Sequence, residues 1–281
     1  MGLFQFRKRL QPDSRQDTEM KIGLALGGGG ARGLCQIAFC QAMDELGIRP
    51  SIISGTSIGA IVGAFYAAGV SGQAMYDLLQ QMGLRDLSRL IDFSFFRKSS
   101  LIRGKAVQKF FWEHIPKRRF EELDVPLKVV ATDYWRQQQM IFQQGDLIAA
   151  VRASMSVPGI FEPVVIGDTV LTDGGAVNPV PHDIIRDECN FLIAIDVTGE
   201  VQATRHAQIP SIFDSVMTTF QTMETSLASF KRQVYPVDLY VKPKLTNIGV
   251  LDFIKERTIF EMVEKDVEHF KQQLHMILAS R

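Results

Sequence analysis

A serine hydroxyl is a poor nucleophile until its surroundings activate it. The residue to weigh first is therefore Ser57, at the centre of Gly55-Thr56-Ser57-Ile58-Gly59. The β-prone residues Ile52 and Ile53 lead into this stretch, and a small-residue run through Ala60, Gly63 and Ala64 leaves it. Gly-x-Ser-x-Gly between a strand and a helix makes a sharp turn. Its serine takes up a strained backbone, and a Cβ on either flanking position would collide with the neighbouring elements. The hydroxyl then stands at a sheet edge, beside the free N–H groups of a helix N-terminus, which favour negative charge. So short a pattern also arises by chance; the apolar strand before it and the helix after it give it weight.

Two other stretches hold complementary chemistry. Lys21 to Leu26 reads as a buried strand running into Gly27-Gly28-Gly29-Gly30-Ala31-Arg32-Gly33, and a helix from about Leu34 to Leu46 follows, ended by Gly47. The N–H groups of Gly28, Gly29 and Gly30 are suited to an anion or a developing oxyanion. The run also contains Gly-x-Gly-x-x-Gly (Gly28, Gly30, Gly33), which raises dinucleotide binding. That pattern needs an acid at the end of the second strand, where this chain has Ser54-Gly55-Thr56-Ser57 instead. A P-loop is excluded because no Lys-Ser/Thr follows the glycines.

The serine needs a base. Asp173 ends a hairpin whose turn is Gly167-Asp168, and Gly174 and Gly175 follow it. An aspartate there also serves as a turn acid bonded to its own backbone. The histidines are His114, His182, His206, His269 and His275, and none falls at an evident strand end in a turn. The chain order Ser57, Asp173, His182 keeps an α/β-hydrolase triad open as a rival. Ser154 and Ser156 lack flanking glycines and read as structural.

The elements that must position these residues alternate. After the Ser57 helix a break at Gly69 to Gly72 precedes a helix near Gln73 to Gln81, and Arg103 to Ile115 carries apolar residues at helical spacing. Leu127 to Thr132 is a buried strand, Met140 to Gln143 a second, and Asp146 caps a helix through about Ser154. Val164 to Leu171 is the hairpin, and Phe191 to Val197 a strongly apolar strand. Helices over about Ile209 to Gln233 and Asp252 to Leu278 flank a strand at Val237 to Val241. Strands alternating with helices predict an α/β fold with a mostly parallel central sheet and helices on both faces. Between Arg85 and Ser100, Phe93, Phe95 and Phe96 stand among Arg and Lys; they suit a cap over an apolar site or packing on the core equally well.

Composition narrows the class. Lys plus Arg equals Asp plus Glu at 31 each, so no global field favours nucleic acid. Apolar residues make up 46% of 281, enough for a substantial core. Cys35, Cys40 and Cys189 have neither metal spacing nor a disulfide pattern, which predicts reduced thiols and a cytoplasmic setting. Pro50 to Tyr76 is free of charged side chains, yet Ser54 to Ser57 interrupt it, and Ile58 to Ala68 is too short to span a membrane alone. Residues 1–20 read as a flexible, solvated arm without a signal-peptide run. Its Phe4, Phe6 and Leu10 among Arg7, Lys8 and Arg9 also suit peripheral contact with an anionic inner-membrane surface. Residues 21–281 are expected to form one catalytic domain, with the motifs in 21–200 and a helical part in 201–281.

Taken together, Gly28-Gly29-Gly30-Ala31-Arg32-Gly33, Gly55-Thr56-Ser57-Ile58-Gly59 and Asp173-Gly174-Gly175 resemble the three ordered motifs of the patatin-like phospholipases. Ala150 to Ser154, Pro158-Gly159 and Asn178-Pro179-Val180-Pro181 are similar too, so the resemblance spans about Lys21 to Val197 and is nearest to small stand-alone bacterial members. The resemblance implies a three-layer sandwich and a Ser57–Asp173 dyad without a catalytic histidine. It implies an oxyanion hole at Gly28, Gly29 and Gly30, a role for Arg32 in pinning the loop or in holding an anionic head group, and motif-supporting glycines at Gly33, Gly55, Gly59, Gly174 and Gly175. The substrate it implies is a lipid acyl ester, and it calls for no metal or cofactor. The competing function is a non-catalytic regulatory protein that keeps the fold and binds a lipid or a protein.

Overall fold

The structure, a computed structural model, describes residues 20–81, 105–199 and 209–279. In chain order its first elements are β1 (Ile22–Leu26), α1 (Gln36–Glu45), β2 (Ile52–Thr56), α2 (Ile58–Ala67), α3 (Gly72–Gln81) and α4 (Lys105–His114). Then come β3 (Leu127–Asp133), β4 (Gln138–Phe142), α5 (Leu147–Ser154), β5 (Val164–Ile166) and β6 (Thr169–Asp173). The chain continues through β7 (Phe191–Ile195), α6 (Ile212–Val234), β8 (Leu239–Val241) and α7 (Glu256–Ala279).

The hydrogen-bonded path through the sheet runs β5-β6-β3-β2-β1-β7-β8, with β4 also paired to β3. Strands β3, β2, β1, β7 and β8 are parallel, while β4 and β6 run antiparallel to β3. Strands β1, β2 and β7 are buried from end to end, which is why they read as apolar or small-residue runs. Alternate residues still divide between two layers. Leu24, Leu26, Ile53, Ile193 and Ile195 face the large core shared with α1, α2 and α7. Ala25, Ile52, Leu192 and Ala194 face a smaller cluster closed by Val180, Ile185 and Ala228 of α6. Helices therefore cover both faces of a mixed, mostly parallel sheet, as the alternation of elements predicts.

The register around β3 positions the site. One edge of β3 pairs with β4 from Val129 to Asp133. The other edge is shared: β2 pairs with it up to Thr56 opposite Val130, and β6 takes over with Asp173 opposite Ala131. The C-terminal ends of β2 and β6 thus meet head to head on one edge of one strand.

Several local readings hold. Gly167 has φ 58 in the two-residue turn between β5 and β6. Asp146 caps α5 by accepting the Ala149 N–H at 2.9 Å. The helix expected from Leu34 begins as a 3-10 turn, Gly30–Cys35, and becomes α-helical at Gln36. The last two helices begin later than expected: α6 starts where Ser211 Oγ accepts the Asp214 N–H at 3.1 Å, and a 3-10 turn, Phe253–Lys255, precedes α7. No helix among the described residues is long and apolar enough to cross a membrane. Phe93, Phe95 and Phe96, and the N-terminal arm through residue 19, lie outside the described residues.

Candidate active site

Ser57 joins β2 to α2 with φ 55 and ψ −122, a left-handed backbone that a non-glycine residue rarely adopts. The flanking glycines permit the approach. A Cβ on Gly55 would come within 2.5 Å of Gly59 O, and one on Gly59 within 2.1 Å of Leu26 O. Ser154 holds the strained residue. It accepts the Ser57 N–H at 2.9 Å and donates to Val130 O at 2.6 Å, so the structural serine of α5 ties the elbow to β3. Ser57 O in turn accepts the Ala60 N–H at 2.9 Å, which closes the first turn of α2.

Asp173 is 1% exposed at the end of β6. Its Oδ1 accepts the Gly175 N–H at 2.7 Å, the local turn bond anticipated for it. Its Oδ2 has no hydrogen bond of good geometry, yet the Ser57 hydroxyl is near enough to favour the ionised carboxyl. Loose contacts of this kind are usual in an active site without substrate. Burial pushes the Asp173 carboxyl up to about 6, against the opposing pull of the Ser57 hydroxyl and the Gly175 N–H.

In the glycine loop the donors are not equivalent. Gly28 donates its N–H to Pro179 O at 2.8 Å, and Ala31 donates to Val250 O at 2.9 Å. Among the described residues this leaves the N–H groups of Gly29 and Gly30 without a partner, so Gly28 braces the loop and its neighbours face the site. Gly30 has φ 59, and a Cβ there would sit 2.3 Å from Val250 O. Buried Arg32 donates through Nε to Gly29 O at 3.2 Å and through Nη1 to Ile248 O at 3.4 Å, which favours the pinning role. Gly33 lies in the 3-10 turn that follows, against Ile58. Gly174 and Gly175 form a second 3-10 turn after Asp173.

Ser57, Asp173, Gly29 and Gly30 line one pocket; α6 supplies one wall through Met217, Phe220, Gln221 and Glu224, and Val157 and Val250 complete the lining. The sequence reading did not single out Glu224. The available signal was composition: Glu224 is the only ionisable side chain between Asp214 and Lys231. Burial raises its carboxyl to about 8, helped by the charges of Asp173 and Asp196 and opposed by Arg32. His182 is buried but does not line this pocket. Its Nδ1 meets Val180 O at 2.8 Å, and its ring packs edge-on to Tyr240 at 6.5 Å between centroids.

Comparison with known proteins bears on the fold and the family. The crystal structure of VipD from Legionella pneumophila superimposes with a TM-score of 0.51 at 12% identity, over 89% of this chain and 67% of that one, a likeness of fold. An uncharacterized NTE family protein of Mycobacterium bovis is 32% identical over 186 residues, which is 66% of this chain and 51% of the relative. Lysophospholipase NTE1 of Candida glabrata is 30% identical over 268 residues, 86% of this chain and 15% of the relative. The chain therefore spans about half the length of the mycobacterial relative and a small part of the fungal one. Residues 24–185, more than half of the chain, match the family described as patatin-like phospholipase, and the chain belongs to the patatin-like phospholipase family.

Proposed function

We propose that the protein is a serine acyl hydrolase of phospholipase A type that cleaves carboxylic esters of lipids. The observation that carries this reading is the pairing of a strained serine elbow with a buried carboxyl in one pocket that also holds two free loop N–H groups. Ser57 Oγ attacks the ester carbonyl while Asp173 takes its proton. A carboxyl raised to about 6 is ionised at neutral pH and still a stronger base than an exposed aspartate. The negative charge that develops on the carbonyl oxygen is met by the N–H groups of Gly29 and Gly30. Asp173 then passes the proton to the departing alcohol, and water releases the fatty acid from Ser57 by the same steps in reverse.

Family membership and the relatives named as lysophospholipases support a lipid ester as substrate. Peripheral contact with a lipid surface belongs to the same proposal. Met217 and Phe220 of α6 line the pocket, and Ile212, Val216, Met223 and Phe230 of that helix are exposed at helical spacing alongside. The deciding experiment is labelling with a fluorophosphonate probe together with fatty-acid release from lysophospholipid. Labelling and release in the wild type, both lost in Ser57→Ala, are expected. A folded wild type that neither labels nor hydrolyses would favour the non-catalytic binding protein.

A further inference from the structure

Glu224 is a carboxyl with no part in the chemistry described above, and its placement is unusual. It lies midway along α6, 8% exposed, on the wall of the pocket that holds Ser57 and Asp173. It packs so closely on the turn after Asp173 that a Cβ on Gly175 would fall 1.9 Å from Glu224 Oε1. The charged groups that face it are Asp173 at the end of β6, Arg32 below the glycine loop and Asp196 beyond β7. Arg32 is engaged with Gly29 O and Ile248 O, and Asp196 with Tyr240 and Lys242. No ion pair joins Glu224 to any of them among the described residues.

We propose that Glu224 is a second working carboxyl of the Ser57 site, which in its protonated form donates a hydrogen bond to the bound ester, and whose ionisation closes the site. The proposal rests on the acyl-hydrolase reading. Two carboxyls that share one poorly solvated pocket do not both ionise at low cost. Asp173 ionises first, and its charge helps hold the proton on Glu224. The pair then titrates in two macroscopic steps. Between them the pocket holds one base and one hydrogen-bond donor, which is the state that ester attack needs. No bond is made or broken at Glu224, and its proton stays in place through the cycle. When that proton leaves, the pocket that must hold the oxyanion gains a second negative charge, and turnover falls.

The test is kcat/KM for p-nitrophenyl butyrate from about pH 5 to pH 9.5, in wild type, Glu224→Gln and Glu224→Met, with folding checked by thermal melt. The wild type should show an acid limb near 6 and an alkaline limb near 8. Both variants should keep the acid limb and lose the alkaline one. The plateau of Glu224→Gln, whose amide still donates, should stay within about tenfold of wild type, and that of Glu224→Met should lie roughly another tenfold lower. An unchanged alkaline limb in either folded variant, or none in wild type, would overturn the proposal. Equal plateaus for the two variants would overturn the hydrogen bond to substrate. Retained hydrolysis in Ser57→Ala would instead remove the hydrolase reading itself, so the two failures are distinguishable.

Discussion

Thr56 and Asp173 end their strands against consecutive residues of β3: Thr56 opposite Val130, Asp173 opposite Ala131. β2 runs parallel to β3 and β6 antiparallel, so the two chain ends converge on one sheet edge. Side chains that leave such a junction have one place to meet. Thr132 Oγ1 locks it by donating to Asp173 O at 2.7 Å, and Thr56 Oγ1 does the same to Asn178 O at 2.7 Å.

If this junction forms a dyad, Asp173→Asn should reduce kcat/KM nearly as far as Ser57→Ala, because residues that act as a unit fail together. His182→Ala should cost little, since His182 does not line the pocket. The acid limb of the pH–rate profile, near 6, should persist in His182→Ala. A crippled His182→Ala beside a milder Asp173→Asn would restore the triad.

Asp173 should also cost stability. Its carboxyl is raised from the ordinary 3.8 to about 6, so between those values the folded state binds more protons than the unfolded one. Stability is lost as pH rises through that window, by roughly 2 to 3 kcal/mol. Asp173→Asn should therefore melt at a higher temperature than wild type at neutral pH, and the gap should narrow towards pH 4 or so. Parallel melting curves at both pH values would contradict this.

The glycine loop makes a graded prediction. Gly29→Ala and Gly30→Ala place a Cβ 2.1 Å from Val197 O and 2.3 Å from Val250 O, and should cut turnover about a hundredfold by moving the free donors. Gly28→Ala meets nothing nearer than Ser57 Cβ at 3.4 Å. Its N–H is already spent on Pro179 O, so it should stay within about tenfold of wild type. Equal losses at all three positions would show that the loop acts only as a structural unit.

Ser154→Ala removes the acceptor of the Ser57 N–H and leaves a buried donor unpaired. Destabilisation of about 1 to 3 kcal/mol is expected, with a lower kcat, while Ser154→Thr keeps the acceptor and should recover part of both. Denaturant unfolding and steady-state kinetics measure the two effects, and wild-type values in Ser154→Ala would remove the clamp.

For the lipid surface, Val216→Ser combined with Met223→Ser should lower fatty-acid release from phospholipid vesicles several-fold and leave hydrolysis of a dissolved short-chain ester unchanged. Both residues are more than half exposed, and neither lines the pocket. Equal losses on both substrates would mean that the stripe supports the fold instead.

The sequence by itself determined the local structure of the site. Gly55 and Gly59 announce an elbow because no side chain fits there, and Asp146 announces a helix start because its carboxyl satisfies a free N–H. The runs at β1, β2 and β7 announce a covered parallel sheet because both their faces are buried. These are effects of one residue on its near neighbours, and they are written in order along the chain. Which loop donors stay free was not legible, because Gly28 is taken by Pro179, far away in sequence. The clamp by Ser154 and the wall from α6 were hidden for the same reason. Glu224 belongs to a helix that the sequence marks only by its period, and its role follows from which face of that helix meets Gly175. Spacing decides what a segment becomes; the register of β3 and the docking of α6 decide which segments share a pocket, because those contacts join residues that no local rule connects.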